Sequence, residues 1–288
     1  MSCSLSCCAI VARRLAVVIL IVSAAPPDAG RAAEPLYPIA IAVKEPQSIF
    51  LVDRDLPGIW RIDDGQLKVY FRAQKKFRTP LNAPRCVAVD RKGRLLVGDS
   101  ATREVYRFDD DGQPKPLTQG GIGIPMGIAV NKAGELLVSD LELHTIWKVP
   151  DEGGTPTEFA RVSGPAGVCI DAEDRLWVAS RAENGLLRVS PEGQVETIVK
   201  GRAFKFPHAV AVDSQSNAYI CDGYARMIWK VSASGGAPAE WATCPKFANP
   251  IGLAWMGETL LVVDSRAKAV FQVDSEGAVK PLVWKPAE

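Results

Sequence analysis

The chain has 288 residues, with 34 lysines and arginines against 33 aspartates and glutamates, so its formal net charge is +1. Hydrophobic residues make up 47% of the chain, which excludes an intrinsically disordered or collagen-like protein. The balance of charge excludes a polyelectrolyte. Two histidines leave little room for histidine-rich metal chemistry.

The N-terminal segment differs from the rest of the chain. Arg13 and Arg14 precede an apolar run from Leu15 to Ala25, and prolines and small residues follow as far as Ala33. This order is typical of a secretory signal peptide, and the run is shorter than the ~20 residues that span a bilayer. We therefore expect residues 1–33 to be a signal peptide, the alternative being a buried N-terminal helix. The mature protein is then exported, periplasmic or secreted, without a membrane span.

Four cysteines follow the predicted signal peptide. Cys86 and Cys169 occupy positions that hold glycine or alanine in the other repeats described below, so we interpret them as small buried residues. Cys221 and Cys244 belong to one repeat, and export would allow a disulfide between them. No Cys-x-x-Cys pair indicates a zinc site.

One sequence pattern recurs six times, at intervals of about 42 residues. Each copy begins with proline and an apolar strand, continues through a turn into a second strand, and adds a third and a fourth strand. This period, without sustained helical periodicity, predicts an all-β fold: a six-bladed β-propeller with four antiparallel strands per blade over residues 34–288. No extra strand that would close the ring is evident. The copies start at Pro38, Pro84, Pro125, Pro165, Pro207 and Pro250.

The second strand ends in aspartate in five copies and at Ser180 in the other copy. Aspartate at a turn accepts hydrogen bonds from backbone N–H groups, so we assign these residues a structural role. Tryptophan recurs in the third strand at Trp60, Trp147 and Trp229, which indicates packing within the blade. The five aspartates are Asp53, Asp99, Asp140, Asp222 and Asp264.

The repeat, Pro-x-Gly followed by an apolar strand and a second strand ending in Asp-Ser, resembles the NHL repeat over Tyr37 to Trp284. The copy PAGVCIDAEDRLWVAS, from Pro165, is similar to a blade of the gluconolactonase/regucalcin-like propellers. That resemblance implies a divalent metal at the top of the channel, held by carboxylate and amide side chains. In several blades the ligand residue lies beside the first proline of the repeat. We predict neither a metal site nor a cofactor, because the residues there are Ile39, Arg85, Met126, Ala166, His208 and Ile251.

Pro207-His208-Ala209 also resembles the Pro-His-Gly unit that carries a catalytic histidine in the streptogramin lyases. The resemblance implies that His208 is a candidate general base at the channel rim. The alternative is a packed or solvated histidine without a catalytic role. The sequence supports no other catalytic residue.

The loops of a propeller divide between two faces, and here their charges divide as well. Loops that enter the first strands or follow the second strands are rich in lysine and arginine, whereas the loops of the opposite face are rich in acids. A concave basic surface concentrates anions. The residues predicted to bind a ligand on the basic face are Arg54, Arg85, Arg103, Arg181, His208, Tyr224, Arg226 and Arg266.

Two functions are consistent with this sequence. The first is a non-catalytic binding or scaffold module whose basic face takes an anionic small molecule, an acidic glycan or an acidic protein segment. Export argues against a nucleic-acid partner. The alternative is a lactonase-like or lyase-like hydrolase acting at the mouth of the channel. The sequence does not indicate an oligomeric state.

Overall fold

The computed structural model describes residues 34–286, apart from residues 75 and 77. The predicted signal peptide, residues 1–33, lies outside the described residues. The described residues confirm the predicted architecture, because they form six blades of four antiparallel strands each. Within this part of the chain, no helix has the length and apolar character needed to cross a membrane.

Each blade places its first strand beside the central channel, where it contacts the first strands of both neighbouring blades. The first strands are β1 (Pro38–Lys44), β5 (Pro84–Val89), β9 (Pro125–Val130), β13 (Pro165–Ile170), β17 (Pro207–Val212) and β21 (Pro250–Met256). The second strands are β2 (Ser48–Asp53), β6 (Leu95–Asp99), β10 (Leu136–Asp140), β14 (Leu176–Ser180), β18 (Ala218–Asp222) and β22 (Thr259–Asp264). The third strands are β3 (Gly58–Asp63), β7 (Glu104–Phe108), β11 (Thr145–Val149), β15 (Leu186–Val189), β19 (Met227–Val231) and β23 (Ala269–Val273). The fourth strands are β4 (Gln66–Arg72), β8 (Pro114–Pro116), β12 (Thr157–Arg161), β16 (Val195–Val199), β20 (Ala239–Thr243) and β24 (Val279–Pro281).

The hydrophobic core is divided among the interfaces between blades. Second strands such as β6 and β10 are buried along their whole length, because both faces of the strand pack against neighbouring blades. Six clusters of buried side chains result, one at each interface. Removal of this apolar surface from water is the main stabilising contribution to the ring.

The ring closes in two ways. Leu51 of the first blade and Val263 of the last blade belong to one buried cluster, so these blades pack against each other. A short strand, β25 (Lys285–Pro286), also pairs in parallel with β4. This strand is not predictable from the sequence, because two residues carry no alternation of polar and apolar side chains.

The five aspartates that end second strands have the structural role assigned to them. All are fully buried. The side chain of Asp140 accepts hydrogen bonds from the backbone N–H groups of Gly123 and Ile124, which lie in the loop entering the same blade, and from the indole of Trp147. Burial raises the pKa of Asp140, but these hydrogen bonds outweigh burial and hold the pKa below its ordinary value.

The four described cysteines are free thiols, so the disulfide considered for Cys221 and Cys244 is not formed. The sulfur of Cys221 instead accepts a hydrogen bond from the backbone N–H of Ala209 at 3.2 Å. Burial raises the pKa of Cys86 and of Cys221 to about 12. Both therefore behave as small apolar groups rather than as nucleophiles.

We expect Asp140→Asn to lower the free energy of unfolding by about 2–4 kcal/mol at pH 7, because an amide nitrogen would face buried N–H donors. The folded-state pKa of Asp140 is lowered, so its contribution is complete above the unfolded pKa of about 3.9 and is lost as the pH falls below that value. Urea unfolding at pH 7 and at pH 3 measures both effects. Asp110→Asn, in an exposed turn, is the control. An equal loss at both pH values would contradict the assignment.

Candidate functional site: the upper mouth of the channel

We call upper face the side of the ring at which the first strands begin and the second strands end. At this face the channel opens into a cavity of about 340 Å³, large enough for a small organic molecule. First strands of all six blades line it, and this cavity is termed the upper-mouth cavity. Its lining includes no carboxylate. The polar side chains that line it, thiols aside, belong to Tyr37, Arg54, Arg85, Arg181, His208 and Asn249.

Two glycines that line this cavity, Gly127 and Gly167, let neighbouring first strands approach closely. A Cβ atom on Gly167 would lie 2.6 Å from the Cα of Ala209 in the next blade, and one on Gly127 would lie 2.9 Å from the backbone nitrogen of Val168. Both distances are shorter than van der Waals contact. The packing of the channel wall therefore requires glycine at positions 127 and 167, whereas Ala40, Cys86 and Ala209 occupy this position in three other blades.

Arg181 and His208 form the central contact of the cavity. A guanidinium nitrogen of Arg181, Nη2, lies 2.8 Å from Nδ1 of His208. Arginine can only donate, so Nδ1 accepts and the imidazole carries its hydrogen on Nε2. Burial and the positive charge of Arg181 lower the pKa of His208 to about 3. The imidazole is therefore neutral at physiological pH, with its N–H at Nε2.

Phe206 holds this pair in place. The guanidinium carbon of Arg181 lies 4.6 Å from the centre of the Phe206 ring, and the edge of His208 contacts the same ring. Tyr224 stacks on Phe206 at a centroid distance of 4.7 Å and is 63% exposed. Tyr224 therefore belongs to the rim of the upper-mouth cavity and not to its lining.

Arg85 and Arg181 lack carboxylate partners among the described residues. The Nε of Arg85 donates to the hydroxyl of Ser100 at 3.0 Å. Burial lowers the pKa of Arg181, and the positive charge of Arg85 acts in the same direction. Two guanidinium groups thus repel each other across a cavity that contains no acid. Such a site favours an anion.

The other cations of the predicted set are placed differently. Arg54 lines the cavity but pairs with Asp55 at 2.9 Å and lies over the ring of Tyr37. Arg103 pairs with Glu142 at 2.8 Å outside the cavity. Arg226 and Arg266 are exposed and do not line the cavity either. The structure brings together Arg54, Arg85, Arg181 and His208.

Three residues of the site lie outside the set predicted from the sequence: Tyr37, Phe206 and Asn249. Each lies directly before a first strand, in the loop that enters its blade. Asn249 donates from its amide nitrogen to the hydroxyl of Ser265 at 2.7 Å, so its side chain is fixed. The signal that could have identified all three is their position one residue before the proline of the repeat.

These residues do not fit the divalent metal that the gluconolactonase-like resemblance implies. A hard cation needs several oxygen ligands, whereas two unpaired guanidinium groups would repel it. Among the described residues, no three histidine, cysteine, aspartate or glutamate side chains are grouped so that they could hold a metal ion. Two acids of the loops that follow the second strands, Asp55 and Glu142, are engaged by Arg54 and Arg103.

Comparison with known proteins supports a family assignment. A family model described as the SMP-30/gluconolactonase/LRE-like region matches residues 37–211. None of the curated proteins compared with the chain matches it.

Several solved structures share the fold at low sequence identity. A gluconolactonase from Xanthomonas campestris is 15% identical, with a TM-score of 0.71 over 87% of this chain and 88% of that chain. A catalytically inactive histidine-to-alanine variant of virginiamycin B lyase from Staphylococcus aureus, with quinupristin, is 16% identical, with a TM-score of 0.65 over 89% and 87%. A chain of a nidogen/laminin complex is 15% identical, with a TM-score of 0.68 over 81% and 92%.

We expect the imidazole of His208 to remain neutral down to about pH 4 and to carry its hydrogen on Nε2, since its pKa is lowered to about 3. Nitrogen-15 NMR of the two histidines, titrated from pH 8 to pH 4, measures both properties. Arg181→Met should raise this pKa, because one of the two causes of the shift is removed. A pKa of His208 near 6.5, measured without added ligand, would show that the contact with Arg181 does not form in solution.

Proposed function

Because the chain belongs to the SMP-30/gluconolactonase/LRE-like family, we propose that it is an enzyme that opens a small lactone or related ester in the upper-mouth cavity. The observation that carries this proposal is the polar lining of the cavity, which offers hydrogen-bond donors and positive charge without a carboxylate. Family membership favours this function over the non-catalytic binding module that sequence analysis placed first. We propose in addition that the substrate bears an anionic group.

The donors of the cavity suit the chemistry of ester cleavage. Negative charge develops on the carbonyl oxygen when water attacks an ester, and fixed donors stabilise that charge. The guanidinium group of Arg85 is such a donor, and each oxyanion donor contributes about a 10²–10³-fold rate enhancement in known enzymes. Arg181 is the donor that we assign to the anionic group of the substrate. In the Staphylococcus aureus lyase, a histidine-to-alanine variant is catalytically inactive. That observation supports testing His208 first.

The size of the cavity narrows the choice of ligand. A volume of about 340 Å³ admits a small molecule, or the terminal group of an acidic glycan or peptide, but not a folded partner. The predicted signal peptide would direct the protein out of the cytoplasm, so we propose that its substrate is encountered in the periplasm or outside the cell.

A binding function without turnover is the second candidate. It is favoured by one observation: the cavity lining offers no carboxylate that could act as a general base, and Nδ1 of His208 is already bonded to Arg181. Both candidate functions therefore predict that the cavity binds the anionic ligand, but only the enzyme predicts that the ligand is hydrolysed.

The test uses glucono-1,5-lactone, which is neutral, and glucaro-1,4-lactone, which carries a carboxylate. We expect proton release in a pH-stat to show hydrolysis of the second substrate above the uncatalysed rate, without loss of activity in EDTA. His208→Asn and Arg181→Met should each lower kcat/KM about 100-fold. Arg266→Met removes an exposed charge of the same face from outside the cavity, and we expect it to change kcat/KM by less than about twofold.

Calorimetric titration with D-glucarate separates the remaining outcomes. Binding without hydrolysis of either lactone would replace the enzyme by the binding module. Neither binding nor hydrolysis would overturn both candidates.

A further inference from the structure

We propose that Arg181 is a positioning residue that controls the chemistry of His208 in response to the substrate. While Arg181 is bonded to Nδ1, the imidazole can only donate; an anionic group of the substrate that binds Arg181 releases Nδ1 to accept a proton. The inference rests on the proposed function and specifies its substrate class, which is an ester or lactone that carries a separate carboxylate.

The geometry makes the Arg181–His208 contact exchangeable. Besides Nδ1 at 2.8 Å, the guanidinium group donates to the backbone carbonyl of Pro207 at 3.3 Å. Both acceptors are neutral. A carboxylate forms shorter, charge-assisted and bidentate hydrogen bonds with a guanidinium group, about twice as strong as hydrogen bonds between neutral groups. An anion in the cavity therefore competes with His208 for Arg181 on favourable terms.

The charges around His208 also favour replacement of His208 by an anion as the partner of Arg181. Arg181 faces it from the loop after β14, and Arg85 of β5 acts on Arg181. Arg54 lines the same cavity and is already paired with Asp55.

The remaining titratable groups near His208 do not supply a competing negative charge. The thiol of Cys221 stays protonated because burial raises its pKa to about 12. The carboxylate of Asp222 is occupied by the backbone N–H groups of Lys205 and Phe206. Tyr224 is the exposed phenol at the rim. Because the lining of the cavity holds no carboxylate, a carboxylate of the ligand would have no competitor there for Arg181.

Neutralising Arg181 changes the basicity of His208 in a definite direction. Burial and the charge of Arg181 lower the pKa of His208, and an anion on Arg181 cancels the second cause. The pKa of His208 then rises on binding. By reciprocity, protonation of His208 strengthens anion binding, so affinity increases as the pH falls.

The released nitrogen completes the ester cleavage of the proposed function. Nδ1 of His208 takes a proton from the water molecule whose oxygen attacks the carbonyl carbon, and the carbon–alkoxide bond then breaks. The departing alkoxide receives that proton from His208, which returns to its neutral form. One water is consumed, and the products are an alcohol and a carboxylic acid that ionises to solvent. Neutral lactones leave Arg181 on Nδ1 and are poor substrates.

The experiment combines NMR of His208 with anion titration. The His144→Gln variant leaves His208 as the only histidine of the chain, so its imidazole signals are assigned directly. The probe is sulfate, whose charge is constant between pH 4 and pH 7, with chloride at equal ionic strength as the control. We expect sulfate to raise the pKa of His208 from about 3 to about 5 and to bind about tenfold more tightly at pH 4 than at pH 6.

Two variants test the part played by Arg181. In Arg181→Met the pKa of His208 should be raised before any anion is added and should not respond to sulfate. Arg181→Lys keeps the charge but lacks the planar guanidinium group, so sulfate should raise the pKa of His208 by less than in the unmodified chain. This variant replaces Arg181→Met in the test if the methionine variant does not fold. Glucaro-1,4-lactone should be hydrolysed at least about tenfold faster than glucono-1,5-lactone by the unmodified chain and equally slowly by Arg181→Met.

The outcomes separate this inference from the proposed function. If sulfate or D-glucarate binds and lactones are hydrolysed, but the pKa of His208 stays within half a unit and neutral lactones react as fast as anionic ones, the inference is wrong and the proposed function stands. If no anion binds and no lactone is hydrolysed, both are overturned.

Discussion

The buried carboxylate at the end of a second strand is the interaction on which the upper face depends. It accepts hydrogen bonds from the backbone of the loop that enters the same blade, and that loop carries the residue next to the channel. Asp222 holds the N–H of Phe206 at 2.9 Å, and Asp264 holds that of Asn249 at the same distance. Asp53 binds the N–H of Tyr37 at 3.0 Å. A structural repeat thus fixes the side chains that shape the cavity.

The fourth blade departs from this rule, and the departure lies at the site. Ser180 stands where the other blades have aspartate, and its hydroxyl donates to the backbone carbonyl of Ser163 at 2.8 Å. A neutral hydroxyl replaces a carboxylate directly before Arg181 in the chain. An aspartate at this position would place a negative charge beside the guanidinium group and weaken its attraction for an anion. The exception to the repeat therefore preserves the positive charge of the cavity.

The architecture could be predicted from the sequence because it depends on features that recur. Period, turn residues and the aspartates are repeated, so each copy supports the interpretation of the others. Arg85 and His208 were also predictable, because the position after the first proline of each repeat faces the channel. The residues that contact Arg85 and His208 were harder to predict from the sequence. The contact between Arg181 and His208 joins two blades through side-chain geometry, and Phe206 and Asn249 lie in entering loops that differ from blade to blade.

The fold leaves the charge of the channel mouth to the residues that line it. The glycines of the first strands and the buried clusters between blades fix the backbone, whereas the residues at the channel mouth are free to differ. The guanidinium groups at this mouth repel cations, and Arg85 and Arg181 repel each other. An anion bound by Arg181, as we propose, would relieve that repulsion. Ligand binding and stability would then be coupled, because a ligand at 100 times its Kd stabilises the folded state by about 2.7 kcal/mol.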